Sequence, residues 1–196
     1  MKDFTLLIIN CQNDFTLPEG TTYIPKSKKM IPNICKFMIE HKNEINRIIF
    51  SCDNHPNDHC SFKTNGGGWP SHCVSESFGQ NINSELIKTA RDLNINYYIL
   101  NKGEVSDLDE YSSVMYSDFI DGLLVLKTAT DACKVLTDNI VICGCSGDFE
   151  IKDTINDLVK KIQEENIYVY LDGIVSIDDN TQLMNLLEDK TNIKII

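Results

Sequence analysis

The chain alternates between short apolar runs and longer amphipathic segments, and this order of elements most constrains its fold. Six runs are short and rich in β-branched residues, as expected for buried strands: FTLLIIN (4–10), RIIFSC (47–52), NYYIL (96–100), NIVICG (139–144), IYVYL (167–171) and NIKII (192–196). The amphipathic segments are predicted to be helices: 32–46, 84–93, around 130–137, 148–164 and 180–188. Strands that alternate with helices predict an α/β fold, in which a parallel sheet lies between two layers of helices.

Length and charge limit the number of domains and the kinds of partner. A chain of 196 residues can bury a sizeable core, and it contains no internal repeat or linker, so residues 1–196 are predicted to form one domain. The net charge is −11 and no cluster of Lys or Arg is present, which argues against nucleic-acid partners and against anionic membranes. No apolar run approaches the ~20 residues that a membrane span needs.

The cysteines favour a reducing compartment. All eight lack the spacing of a disulfide framework, and MKDF leads directly into the first strand without a signal peptide. We therefore expect reduced thiols and a cytoplasmic location. Cys52, Cys60 and Cys73 lack a C-x-x-C spacing, so neutral buried cysteines are favoured over a thiolate zinc site.

Three segments that follow predicted strands are too long to be simple connectors: 11–30, 53–80 and 102–128. In open α/β sheets, ligands bind beyond the carboxyl ends of the strands. Four polar segments are therefore expected to converge at one edge of the sheet: NCQNDF (10–15), CDNHPNDHCSF (52–62) with WPSHC (69–73), NKG (101–103) and GCSGDFE (144–150).

Three of the four histidines are concentrated in one of these segments, beside an aspartate. Asp53 and His55 are two residues apart at a strand end, so both side chains can point to the same side. His72 follows Trp69 and Pro70 and could complete a set of two imidazoles and one carboxylate, which is typical of catalytic metal sites. The alternative is a polar loop whose histidines bond to the backbone, and the residues alone leave both interpretations open.

Lys102 and the segment GCSGDFE each allow two interpretations. Lys102 could stabilise an oxyanion in the cleft, but spacing alone favours a solvated surface lysine. Gly144 and Gly147 permit a tight turn before a helix, which suits a nucleophile or a bound oxyanion. Glu150 falls in the first turn of that helix, where acidic residues are common without any catalytic role.

In this order, the four segments resemble those of the nicotinamidase/isochorismatase-like hydrolase family over nearly the whole chain. LLIINCQNDF is similar to the first strand of that family, an apolar run followed by D-x-Q-x-D-F. SCDNHPNDHCSF with GGGWPSHCV resembles the nicotinamidase metal loop and is the most specific match. NKG with YSS (111–113) resembles the catalytic-lysine segment, and VICGCSGDFEIKDTINDL resembles the segment G-x-x-T-D-x-C-V-x-x-T-x-x-D.

The resemblance implies a three-layer α/β/α sandwich with a six-stranded parallel sheet. It also implies a divalent metal, zinc before iron or manganese, held by Asp53, His55 and His72, with His59 as a further ligand or a neighbour of the ligands. A homo-oligomer is expected as well, because relatives often assemble as dimers or tetramers.

The same resemblance implies a small-molecule substrate. The family's default reaction is the hydrolysis of an amide, nicotinamide to nicotinate, by an Asp–Lys–Cys triad through a thioester. The aromatic residues that line the pocket of relatives correspond here to Phe15, Trp69 and Tyr111.

Two of the three catalytic positions depart from the family pattern. The aspartate falls on Asn10 and the nucleophilic cysteine on Glu150, so only Lys102 is retained; Asn10 cannot serve as a carboxylate base and Glu150 cannot form a thioester. We interpret the changes as coupled, because they leave Lys102 facing a single carboxylate, that of Glu150. Cys145 is a weak candidate for a substitute nucleophile, and Cys11 is expected to face away from the cleft.

Three functions are consistent with this pattern. The leading interpretation is a metal-dependent, nicotinamidase-like hydrolase of small amides, in which Glu150 acts as a general base toward water. The second is a catalytically inactive member that binds a metal and a small ligand or serves as a subunit. The third is an isochorismatase-like hydrolase of a vinyl ether, although that branch generally lacks the metal loop.

Overall fold

Six parallel strands form the central sheet of the computed structural model, which describes residues 3–120, 123–130, 132–136 and 139–196. The strands are β1 (Phe4–Ile9), β2 (Ile45–Asp53), β3 (Tyr97–Lys102), β4 (Asp118–Ile120), β5 (Leu123–Lys127), β6 (Ala132–Leu136), β7 (Ile140–Cys145), β8 (Ile167–Val175) and β9 (Lys194–Ile195). The first three and the last three form the parallel sheet, in the order β3-β2-β1-β7-β8-β9. Strands β4, β5 and β6 form a small antiparallel sheet of their own.

Helices connect the strands of the parallel sheet. They are α1 (Asn13–Thr16), α2 (Ser27–Glu40), α3 (Ser84–Asp92), α4 (Lys152–Leu158) and α5 (Thr181–Asp189), with a π-helical turn at Gly147–Ile151 and 3₁₀ turns at Lys63–Asn65 and Glu164–Asn166. Because parallel crossovers are right-handed, α2 and α3 lie on one face and α4 and α5 on the other. The predicted three-layer α/β/α sandwich with six parallel strands is confirmed.

The core is centred on β1, whose six side chains are all buried, and on β7, which is buried along its whole length. Continuous apolar runs are required there because helices cover both faces of the sheet. The strand order reverses at β1, since β2 lies on one side of it and β7 on the other. The crevice for ligands in such sheets lies beyond the strand ends at that reversal, so the fold directs the polar ends of β1, β2, β3 and β7 toward one place.

One predicted element has the wrong type. The segment around 130–137 was predicted to be a short helix, but Ala132–Leu136 is strand β6, paired antiparallel with β5; residues 131 and 137 lie outside the described part of the chain. A run this short cannot be assigned from periodicity alone, and pairing with β5 satisfies its backbone instead.

Two predicted helices have different bounds. The segment predicted at 32–46 is helical over Ser27–Glu40, with Pro32 inside the helix, and β2 already begins at Ile45. The helix predicted at 148–164 begins with the π-helical turn and its α-helical part ends at Leu158. Beyond Leu158, Lys160 and Lys161 bond to carbonyls only three residues back, which tightens and ends the helix.

Within the described residues, no helix is both long enough and apolar enough to cross a bilayer.

A close approach between β1 and β7 requires glycine at position 144, and its replacement is a test of the fold. Gly144 has a φ of +116°, and a Cβ atom there would lie 2.0 Å from the carbonyl oxygen of Ile9. Gly66 has a similar φ of +92° but nothing within 4 Å of its Cβ position. We expect Gly66→Ala to cost about 1–3 kcal/mol of unfolding free energy through backbone strain. Gly144→Ala should cost about 1–3 kcal/mol more, because the clash adds to the strain.

Urea unfolding of both variants and the wild type measures this difference. Equal losses in the two variants would contradict the assignment of Gly144 to a close contact between the central strands.

Candidate active site

Asp53, His55 and His72 come together at the end of β2 and are all buried. The Nε2 atom of His55 lies 3.7 Å from Oδ2 of Asp53, and Nε2 of His72 lies 4.0 Å from the same oxygen. One candidate ligand atom from each residue lies within 4.8 Å of the other two. The structure thus brings together the two imidazoles and the carboxylate that the sequence suggested as a set.

Backbone carbonyls orient both imidazoles. The Nδ1 atom of His55 lies 2.8 Å from the carbonyl oxygen of Gly103, and Nδ1 of His72 lies 2.8 Å from that of Pro70. A carbonyl only accepts hydrogen bonds, so Nδ1 of each ring carries a proton and Nε2 is the atom directed toward Asp53. Burial lowers the pKa of His55 to about 4, which keeps its ring neutral. This is the state in which imidazole binds a metal.

Backbone hydrogen bonds hold the segment that carries His72 against the end of β2. The amide of His55 donates to the carbonyl of Cys73 at 3.0 Å, and the amide of Ser75 donates to the carbonyl of His55 at 2.8 Å, so the loop that carries His72 pairs with the end of β2. Asp14 accepts a hydrogen bond from the amide of Cys73 at 2.7 Å. The loop that carries His72 is therefore held by Asp14, which follows β1, and by His55, which follows β2.

His59 lies beside the cluster but does not join it. Its ring is 4.0 Å from that of His55, but Nδ1 lies 2.7 Å from the hydroxyl of Ser61 and Nε2 lies 3.0 Å from the carbonyl of Leu108. Both nitrogens are engaged by protein groups, so this geometry suits a packing neighbour of the ligands and not a further ligand.

Lys102 is buried at the end of β3 and contacts Asp53 directly. Its ammonium forms an ion pair with Oδ1 of Asp53 and donates to the carbonyl of Glu110 at 3.0 Å. Burial opposes the charge of Lys102, but Asp53 and then Glu150 outweigh it and raise the pKa of the ammonium. Burial likewise opposes ionisation of Asp53, but Lys102 and both imidazoles lower the pKa of its carboxyl.

Two expectations about Lys102 were wrong. Spacing alone favoured a solvated surface lysine, yet the side chain is 1% exposed because the loop after β3 covers it. The prediction that Lys102 faces a single carboxylate is also wrong, because Asp53 is its direct partner and Glu150 acts on it in addition.

Asn10 contacts the same aspartate from the end of β1. Its Nδ2 donates to Oδ2 of Asp53 at 2.8 Å, and its Oδ1 is buried without a hydrogen-bond partner among the described residues. The residue has a φ of +49°, a conformation that asparagine tolerates well. Asn10 therefore acts as a donor that holds Asp53, and it supplies no base.

Glu150 lies in the π-helical turn after β7, with its carboxylate in the same cavity. Oε2 accepts hydrogen bonds from the amide of Ser146 at 2.8 Å and from its hydroxyl at 2.6 Å. Burial raises the pKa of Glu150, and Lys102 offsets this only in part. A buried carboxyl with a raised pKa in a cleft has the properties of a general acid or base.

Cys145 has no access to the cavity. Its thiol is fully buried and donates to the carbonyl of Asn10 at 3.0 Å. Its hydrogen bond with Cys11 and its burial raise the pKa of Cys145 well above the ordinary value. A protonated thiol that faces away from the cavity is unsuited to nucleophilic attack.

Aromatic side chains form the wall of the cavity, as the sequence suggested for Phe15, Trp69 and Tyr111. The indole N–H of Trp69 donates to the hydroxyl of Tyr111 at 2.9 Å, and the ring of Phe15 packs edge-on against His72. Phe149, which sequence reasoning missed, supports the wall from behind, with its ring 5.3 Å from Trp69 and 5.8 Å from Tyr111.

Sequence reasoning also missed two polar residues that organise the site. The carboxylate of Glu110 accepts hydrogen bonds from the amides of Gly103 at 2.8 Å and Ala129 at 3.3 Å, which holds the loop that covers Lys102. Gln12 pairs with both backbone groups of Asp53, because its Oε1 accepts from the amide at 2.8 Å and its Nε2 donates to the carbonyl at 2.7 Å. No local pattern indicated Gln12, because β1 ends at Ile9 and the positive φ of Asn10 breaks the alternation of the strand.

Comparison with known proteins relates this arrangement to a family. A model of the isochorismatase domain matches residues 4–113. The nicotinamidase of Saccharomyces cerevisiae is 26% identical over an alignment of 223 positions that covers 98% of each chain. The nicotinamidase of Escherichia coli is 26% identical over 190 positions, covering 85% of this chain and 81% of the relative. Among solved structures, the pyrazinamidase of Pyrococcus horikoshii in complex with zinc superimposes with a TM-score of 0.73 at 22% identity, covering 99% and 98% of the two chains.

The contacts of Gln12 predict that its loss destabilises the site. Gln12→Ala removes the amide that pairs with the backbone of Asp53 and of Gln80, which leaves buried polar groups without partners. We expect a loss of about 1–3 kcal/mol of unfolding free energy. Gln182, which is exposed and accepts a hydrogen bond from Lys152, provides the control, and Gln182→Ala should change stability by less than about 0.5 kcal/mol.

Denaturant unfolding monitored by the fluorescence of Trp69 provides the measurement. If the two alanine variants prove equally stable, Gln12 does not fix Asp53 in the way its hydrogen bonds suggest.

Proposed function

The chain belongs to the isochorismatase domain family, and on this premise we propose that it is a metal-binding, nicotinamidase-like hydrolase of small amides. The observation that carries the proposal is the set of Asp53, His55 and His72, which shares an aromatic-walled cavity with the carboxylate of Glu150. The two curated relatives are nicotinamidases, which supports nicotinamide or a similar planar amide as the substrate.

The donor set fits a divalent cation. Both histidines direct Nε2 toward one carboxylate, and three protein ligands with open positions are typical of catalytic zinc, with iron or manganese as alternatives. The local charge supports the same assignment, because the lysine at position 102 lies among carboxylates that outnumber it. The zinc of the Pyrococcus horikoshii pyrazinamidase makes zinc the first ion to test.

Each side chain around the cavity would then have its own role in hydrolysis. When bound, the cation supplies Lewis-acid chemistry that polarises a coordinated group. Glu150 accepts a proton from the attacking water at its carboxylate and returns it to the leaving nitrogen. Lys102 offsets negative charge that develops on the substrate oxygen, and Trp69 and Tyr111 hold the planar ring. No thioester forms, because position 150 lacks a thiol.

A specific contact favours a second candidate, a family member that binds a metal and a small ligand without turnover. Ser146 donates two hydrogen bonds to Oε2 of Glu150 and so restrains the carboxylate that hydrolysis would require to move protons. Ligand binding without any ammonia release would favour this candidate. The vinyl-ether hydrolase that the sequence also allowed gains no support from the geometry of the metal set.

Metal analysis tests the first half of the proposal. Protein purified without chelator should contain about one divalent cation per chain. His72→Ala should weaken zinc binding by more than about 100-fold, because loss of a group that merely hydrogen-bonds to a ligand already costs about 10–100-fold. His59→Ala should retain the metal, since both nitrogens of His59 are engaged elsewhere. His41→Ala, distant from the cavity and paired with Glu44, is the matched surface control.

Zinc titration with a competing chelator gives the affinities. Equal zinc affinity in wild type and His72→Ala would refute the ligand set, and loss of zinc in His59→Ala would make His59 a ligand.

Ammonia release tests the second half. We expect the wild type to hydrolyse nicotinamide more slowly than the ~1 s⁻¹ at the low end of ordinary enzymes, because it lacks the cysteine nucleophile. Glu150→Gln should reduce the remaining rate by about 10²–10⁴-fold, since an amide cannot act as general base. The double variant Asn10→Asp with Glu150→Cys restores the residues of the family triad and should exceed the wild type.

A residual rate that Glu150→Gln leaves unchanged would contradict the role of Glu150 as general base, whereas no ammonia release above background from the wild type would support the non-catalytic candidate. An ordinary wild-type rate above ~1 s⁻¹ would contradict the account of the lost triad.

A further inference from the structure

We propose that the cavity selects a planar heteroaromatic ligand whose reacting group is cationic and rich in N–H donors, an amidinium before a neutral amide, and that Glu150 imposes this preference. The inference deepens the proposed function, because it takes the cavity of the metal set as the substrate site. A carboxylate attached to the same ring should be the poorest ligand.

The first support is the fixed orientation of Glu150. The amide and hydroxyl of Ser146 both donate to Oε2, so the carboxylate cannot rotate freely. Among the described residues none donates a hydrogen bond to the other oxygen, Oε1, and the side chain lines the cavity while being only 8% exposed. A held, largely desolvated carboxylate oxygen that faces a cavity is an acceptor prepared for a ligand donor.

The second support is the excess of negative charge. The cavity is lined by the carboxylates of Asp53, Asp109, Glu110 and Glu150, and Lys102 is its one lysine among the described residues. The ammonium of Lys102 is already engaged by Asp53 and by the carbonyl of Glu110. With a divalent cation bound, the buried carboxylates of Asp53, Glu110 and Glu150 would already balance the positive charges, and the exposed Asp109 adds a further negative charge that water screens. An anionic ligand would therefore meet no unpaired cation, whereas a monocation would meet a small excess of negative charge.

The third support is the aromatic wall. Phe15, Trp69 and Tyr111 line the same cavity, and their rings accept a flat heteroaromatic ring by stacking. The faces of tryptophan and tyrosine also attract cations, which adds to the preference for a positively charged ligand.

Amidinium chemistry fits these three features. An amidinium is flat, carries its positive charge over two nitrogens and presents parallel N–H donors, as the guanidinium of arginine does toward a carboxylate. It has the same shape as a carboxamide, so it occupies the same volume beside the ring. A charge-assisted hydrogen bond to Oε1 of Glu150 would then distinguish the two ligands.

Three probes of equal shape and different charge provide the test. They are pyridine-3-carboxamidine, which is cationic at neutral pH, the neutral nicotinamide and the anionic nicotinate. Isothermal titration calorimetry of the zinc-loaded chain should rank them in that order, with the cation at least about 10-fold tighter than nicotinamide. Glu150→Gln should weaken the cation by about 10–100-fold and change nicotinamide by less than about threefold, because glutamine keeps an acceptor but loses the charge.

Asp109→Asn is the matched control, since Asp109 also lines the cavity but is exposed to solvent. It should weaken the cation by less than about threefold, because water screens its charge. Nicotinate binding as tightly as the amidine would overturn the inference. The same ranking with the same ratios in wild type and Glu150→Gln would also overturn it, and the wild-type ranking alone decides the matter if the variant does not fold.

These outcomes are separable from those for the proposed function. A cation preference that depends on Glu150, without ammonia release from any amide, would refute the hydrolase and leave the ligand preference standing. Ammonia release without such a preference would refute the ligand preference and leave the hydrolase standing.

Discussion

Lys102 and Asp53 form an ion pair that is almost completely shielded from solvent, at paired positions in the register of β3 and β2. Taking two charges out of water is costly, and the cost is recovered only where further hydrogen bonds complete both groups. Asn10 donates to the aspartate and the carbonyl of Glu110 accepts from the lysine. Removal of either charge would leave the other buried without compensation, at about 3–5 kcal/mol. The other features of the cavity are built around this pair.

The backbone next to the ion pair determines where the imidazoles lie. Gly103, directly after Lys102, has a φ of +67°, and a Cβ atom there would lie 2.4 Å from the ring of His55. Its carbonyl orients that ring, and its amide donates to Glu110, whose own carbonyl accepts from Lys102. Only glycine permits both the conformation and the close approach. One residue therefore connects the candidate metal set to the loop that encloses the lysine.

Most of the fold, and the composition of the site, could be predicted because they follow from local pattern and from strand order. Parallel strands with continuous apolar runs predicted the sheet, and the polar residues that follow each strand predicted where the site lies. Periodicity did not predict β6, because five residues are too few to distinguish a strand from a helix. The burial of Lys102 against Asp53 and the role of Gln12 depend on contacts between segments distant in the chain, and Glu110 closes an irregular loop after β3, so no strand or helix pattern indicates these roles.

Asp53 accepts a hydrogen bond from Asn10, and in addition to burial it raises the pKa of Glu150. An aspartate at position 10 would place a second carboxylate where Nδ2 of Asn10 now lies, 2.8 Å from Oδ2 of Asp53. With Glu150 already in the cavity, and with Asp53 raising its pKa, that carboxylate would be a further unpaired negative charge. The asparagine removes this repulsion and adds a donor to the aspartate. Glutamate at 150 is therefore expected to ionise more easily beside asparagine than beside aspartate, and the coupling of the two positions stays a prediction.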